Sequence, residues 1–77
     1  MNNDEILSVQ TYLRKKFQLD NITLKRGALA DEVEVLIGDE FIGTIMRDDE
    51  EGEISYNFAM AILDFDLTEQ EQQEPSA

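Results

Sequence analysis

Seventy-seven residues leave room for one small hydrophobic core and no second domain, and 18 acids against six bases give a net charge of −12. That charge opposes attraction to nucleic-acid phosphate or to an anionic membrane surface, and suits a basic partner or solubility alone. With no cysteine and no histidine, disulfides, thiolate chemistry, the usual general base and the commonest zinc ligand are all excluded.

The opening "MNNDEIL" lacks a basic region followed by an apolar run, and the longest apolar run, "FAMAIL" from Phe58 to Leu63, is far too short to span a bilayer. A cytoplasmic protein is expected, with no membrane and no nucleic-acid partner. In "NNDEILSVQTYLRKKF", Ile6, Val9, Leu13 and Phe17 recur at spacings of three and four, which predicts an amphipathic helix. Asn2 with Glu5 fits a capping box, and Asn3 is an equally good cap. Asp4 and Glu5 fall at the positive end of the helix dipole and Arg14, Lys15 and Lys16 at its negative end. That placement accounts for the basic cluster without a phosphate ligand.

"NITLKR" then reads as a short strand after a turn at Asp20 and Asn21, and "GALAD" as a loop. "EVEVLIGDEFIGTIMR" reads as a hairpin. A three-residue connection pairing Ile37 with Phe41 puts Val33, Val35, Ile37, Phe41 and Ile45 on one face with Gly43 among them. A two-residue connection puts Ile42 and Met46 inside instead. The first register is preferred because it buries the larger ring, and a slip of one residue exchanges the faces.

After the acidic "DDEEGE", Ile54, Tyr56, Phe58, Met60 and Ile62 alternate with small or polar residues and predict a long strand. A competing helix through "FAMAILDF" uses the stripe Phe58, Ala61, Ile62 and Phe65. Leu63, Phe65 and Leu67 shift the phase, so the strand bulges or ends near Leu63. Setting Met46 opposite Glu53 places Ile45 beside Ile54 and makes the inner faces agree. The expected fold is α+β: an N-terminal amphipathic helix packed on an antiparallel meander of three to four strands, forming one domain over 1–67. A disordered acidic tail is expected over 68–77, "TEQEQQEPSA" being polar and low in complexity. The outer sheet face is more apolar than a solvated face requires, and Leu36, Ile42 and Met46 are its candidate interface residues.

Chemical motifs fit poorly. Setting Gly52 at the sixth position of an EF-hand loop puts Arg47 at the first ligand position and Phe58 at the last, where calcium needs an acid or amide and a bidentate glutamate. The serines have no histidine to activate them, and "GDEFIG" lacks the lysine and hydroxyl of a phosphate loop. No catalytic residue, cofactor site or metal ligand emerges, and an enzyme is not expected. A helix followed by strands also opens double-stranded-RNA-binding domains, but their function needs a basic face that this chain lacks.

The segments "YLRKKF", "GDEFIG" and above all "RDDEEGEISYNFAMAILDFDL" resemble a family of short uncharacterised bacterial proteins, known mainly from alphaproteobacteria and classed as a domain of unknown function. The resemblance runs from about Asp4 to Leu67. It implies a bacterial cytoplasmic setting and a free-standing domain, and brings no activity, ligand or site residue with it. The expected function is therefore protein–protein contact by a small non-enzymatic protein, through the outer sheet face or an exposed strand edge, with another protein or with itself as a homodimer. Two alternatives stand beside it: a weak divalent-cation-binding module at the acidic loop, and an acidic nucleic-acid mimic that occupies a basic partner.

Overall fold

A computed structural model of the chain describes residues 1–29 and 31–73, with side chains described through residue 68. The first helix, α1 (Asn3–Phe17), opens on a reciprocal cap. Asn2 Oδ1 accepts the Glu5 backbone N–H at 2.8 Å, and Glu5 Oε1 accepts the Asn2 N–H at 2.9 Å. The cap is thus Asn2 rather than Asn3. α1 ends where Gln18 turns left-handed (φ 57°) and Leu19 donates its N–H back to the Arg14 carbonyl at 3.0 Å.

Four strands follow, β1 (Ile22–Arg26), β2 (Glu32–Ile37), β3 (Glu40–Asp48) and β4 (Ser55–Ala59), hydrogen-bonded in chain order as an antiparallel meander. The expected α+β architecture is the observed one. Ile22, Leu24, Val33, Val35 and Ile45 on the inner sheet face are buried against Ile6 and Leu13 of α1, each fully buried aliphatic side chain stabilising the fold by about 1.5–3 kcal/mol. Phe17, the fourth residue of the expected helix stripe, remains 47% exposed. It lies in the last turn, past the stretch of helix that the sheet can cover.

α1 runs antiparallel to β1. Arg14, late in the helix, reaches the carbonyl of Ile22 at the start of the strand, while Arg26 at the strand's end holds the Met1 carbonyl and Asn3 Oδ1. Four strands span about 14 Å between their outer axes and one helix is about 10 Å wide, so a single helix cannot cover the whole face. α1 packs over the β1 side. The β4 side of the inner face is left open.

Both hairpin registers differ from expectation. The β2–β3 connection is the two-residue turn Gly38–Asp39, with Ile37 opposite Glu40. Gly38 adopts φ 62°, the positive angle that glycine-first hairpin turns require. Leu36 then faces Phe41 and Val35 faces Gly43, so Ile42 is the extra residue of a β-bulge. The bulge resets the phase. Phe41 goes outside (55% exposed), Ile42 packs against the core, and Ile45 is buried while Met46 is exposed. The preferred three-residue connection was wrong, and its alternative was wrong about Met46.

At the β3–β4 connection, Met46 lies opposite Asn57 and Ile45 opposite Phe58, four residues beyond the expected pairing with Glu53 and Ile54. An even displacement keeps the faces, so Tyr56 and Phe58 still turn inward. Asp48 Oδ1 accepts the Glu50 N–H at 3.0 Å and Gly52 takes φ 82°, which together turn the longer loop. Ile54 is left outside the ladder and 54% exposed.

β4 stops at Ala59 instead of running on to Ile62, and a second helix, α2 (Asp64–Gln73), starts six residues later than the competing helix through Phe58 would have it. Leu63, where the apolar pattern changes phase, is the junction: its carbonyl accepts the Asp66 N–H at 2.9 Å and its N–H donates to Asp66 Oδ2 at 3.3 Å. α2 takes in the first part of the stretch expected as a disordered tail, 68–77, and its last four residues, 74–77, lie outside the described residues. No helix among the described residues is long and apolar enough to cross a membrane.

Candidate interaction groove

The uncovered half of the inner face forms a groove of about 370 Å³. Ser8, Val9, Tyr12 and Leu13 form its wall on α1, and Ile45, Tyr56 and Phe58 its floor on β3 and β4. Helical spacing produces the wall, because Ser8 and Tyr12 are one turn apart, as are Val9 and Leu13. The floor depends on Gly43. A Cβ there would run into the Ala59 carbonyl oxygen and come within 2.8 Å of Phe58 Cε1, so only a residue without a side chain lets the Phe58 ring lie across β3. The groove is mostly apolar, and apart from the two tyrosines its lining has no titratable group. That chemistry suits an apolar partner surface better than a reaction.

Beside the groove, a polar tie joins α1 to β3 and β4. Tyr56 Oη donates to Glu5 Oε2 at 2.7 Å, and Arg47 Nε forms an ion pair with the same oxygen at 2.8 Å. Arg47 Nη1 reaches on to Asp49 Oδ2 at 3.1 Å. Glu5 therefore closes the α1 cap with one oxygen and holds two strands with the other. The Asn2 backbone N–H, and after it the Tyr56 hydroxyl, hold the Glu5 carboxyl below its ordinary range, while donation to Glu5 pushes the Tyr56 phenol up. A carboxylate so stabilised in its charged form is a weak base. The tie positions α1 against β3 and β4.

The expected site residues do not form one surface. Leu36 lies half-buried on the outer face beside Phe41, Met46 is exposed on the same face opposite Glu32 and Asn57, and Ile42 packs against the core from its bulge. Leu36 and Glu32 are four residues apart on β2, which puts Leu36 and Met46 about 13 Å apart along the sheet. In the acidic loop, Asp48 is engaged by the Glu50 N–H and Asp49 by Arg47. Among the described residues, no three carboxylates come together as a metal ion would need. Neither the groove nor the tie is among the features expected from the sequence. Tyr12, which widens the helix stripe beyond Val9 and Leu13, was the available signal for the groove; the pairing of Glu5 with Arg47 and Tyr56 left no local trace.

Compared with known protein families, residues 5–66 match the one described as "Protein of unknown function (DUF3126)". No curated protein and no solved structure matches the chain.

Proposed function

The chain belongs to the DUF3126 family, and we propose that it is a non-enzymatic protein-contact module whose working surface is the half of the sheet that α1 leaves open. The observation that carries this is the apolar groove between α1 and β4. Next along the chain, Met60, Ile62, Leu63, Phe65 and Leu67 follow β4 and are all about half or more exposed. Five large apolar side chains this exposed within residues 60–67 exceed the scattered apolar residues of an ordinary surface. The groove takes the place of the set expected from the sequence, Leu36, Ile42 and Met46, as the contact surface. The proposal assigns the chain no catalysis and sets it in the bacterial cytoplasm.

Tyr12→Glu tests the proposal. Tyr12 lines the groove yet is 59% exposed, so the change should leave the fold intact and place a charge in the apolar lining. Proteins captured from the native cell by the wild-type chain should be lost with the variant. Equal capture by both chains would exclude the groove as the working surface.

A further inference from the structure

Resting on that proposal, we infer that the occupant of the open side is a second copy of the chain, its β4 (Ser55–Ala59) paired antiparallel with the first about a two-fold axis at Asn57. The two edges of the sheet are treated differently. On β1, the Leu24 N–H is taken by Gln10 Oε1 at 3.0 Å and the Ile22 carbonyl by Arg14 Nε at 2.7 Å, and the strand ends in Lys25 and Arg26. Ile22 and Leu24 are two residues apart, so in an antiparallel ladder both turn these groups away from β2, toward the free edge. Side chains of α1 thus block that edge, and lysine and arginine discourage further pairing. β4 has no such protection. Its sequence "SYNFA" has no charge and no proline, and among the described residues no side chain hydrogen-bonds to its backbone.

The edge is also complementary to itself. Centring the pair on Asn57 sets Tyr56 against the second copy's Phe58 on the inner face and Ser55 against its Ala59 on the outer face, and extends the alternation to Ile54 against Met60. Ile54 and Met60 are 54% and 56% exposed in the single chain. The pairing covers both, and so accounts for the period-two pattern that continues past each end of β4. It also joins the two grooves, since Tyr56 and Phe58 form the floor of each. Like net charges oppose the association, but the seam from Ile54 to Met60 carries none, so screening by salt should strengthen the dimer. A basic partner strand on the same edge would show the opposite salt dependence.

The test uses the full chain. Sedimentation equilibrium should show a monomer–dimer equilibrium that tightens several-fold between about 0.05 and 0.3 M salt. The chain has no cysteine, so Asn57→Cys should oxidise to a covalent dimer far faster than Thr23→Cys on the blocked edge. Met60→Glu, at a position exposed in the monomer, should weaken the dimer at least about tenfold while circular dichroism stays unchanged. A chain that remains monomeric into the high micromolar range overturns the inference. So does a dimer that crosslinks equally well through both cysteines, or one that weakens as salt rises. None of these results bears on capture by the Tyr12 surface, on which the broader contact proposal stands or falls.

Discussion

Gly43→Ala should destabilise the domain, although the same change elsewhere often does the reverse. Glycine to alanine restricts the unfolded chain and stabilises by about 0.4–1 kcal/mol where the native backbone tolerates a side chain. Gly43 does not have a positive φ, so its backbone raises no objection. The objection is steric: the new methyl would collide with the Ala59 carbonyl oxygen, lie 2.8 Å from Phe58 Cε1 and 3.2 Å from Met60 Cα. Backbone atoms supply two of those three contacts, and the ring can give way only by leaving the groove floor. Overpacking of this kind costs about 1–3 kcal/mol, which outweighs the entropic gain. For a domain of this size each kcal/mol moves the thermal midpoint by about 4–8 °C, so the midpoint should fall by several degrees at least. Gly52→Ala is the control. Nothing lies within 4 Å of its added methyl, and its cost comes from a φ of 82° alone, about 1–2 kcal/mol. Thermal unfolding followed by circular dichroism measures both, and fluorescence of Tyr56 should change only in the Gly43 variant. A Gly43→Ala chain as stable as wild type would refute the close approach of Phe58, Ala59 and Met60 to Gly43 and, with it, the floor of the groove.

Ile45→Ala should cost about 2–5 kcal/mol at a site 1% exposed, whereas Met46→Lys, on the outer face, should stay within about 0.5 kcal/mol; urea melts of the pair test the strand phase after the bulge. Ile42→Lys should destabilise strongly, because Ile42 packs against the core, and a stable Ile42→Lys chain would remove the bulge. Asn2→Ala should cost about 0.5–2 kcal/mol through loss of the helix cap, read as a lower midpoint. For pH, the Glu5 carboxyl sits below its ordinary value of 4.5 in the folded chain, so the folded state holds fewer protons there. Its stabilisation is complete above that value and is lost as pH falls through the folded pKa. Tyr56 is raised above 10.0, so its contribution is complete below that pH and lost as pH rises beyond it. Glu5→Gln should flatten the acid limb of a stability–pH profile and Tyr56→Phe the alkaline limb. Unchanged limbs would mean that the tie is not formed in solution.

Which parts of the fold the sequence discloses follows from what each pattern is sensitive to. The α1 cap is local, with Asn2 and Glu5 three residues apart, so the residues that form it also announce it. Period-two alternation is local in another sense: it reports which face a side chain takes and nothing about its partner. Pairing Met46 with Glu53 or with Asn57 keeps Tyr56 and Phe58 inward either way, because the two registers differ by an even number of residues. Alternation therefore supports both registers equally, and the loop decides between them through the Asp48 turn and the positive φ of Gly52. The β2–β3 hairpin fails differently. A two-residue turn at Gly38 alone would have put Met46 inside, and the bulge at Ile42 cancels that change of phase one residue after Phe41. Two opposite errors leave Ile45 where a wrong turn length had already placed it. The groove is harder still to foresee, since it depends on one helix lying over β1 rather than over the middle of the sheet, held there by Gln10 and Arg14 on the edge and by Glu5 reaching across to Arg47 and Tyr56. Gln10 and Arg14, which hold α1 to β1, also block that edge, while the β4 edge stays unblocked. An open groove and an unprotected β4 are thus two consequences of one placement, and a partner that pairs with the edge necessarily meets the groove.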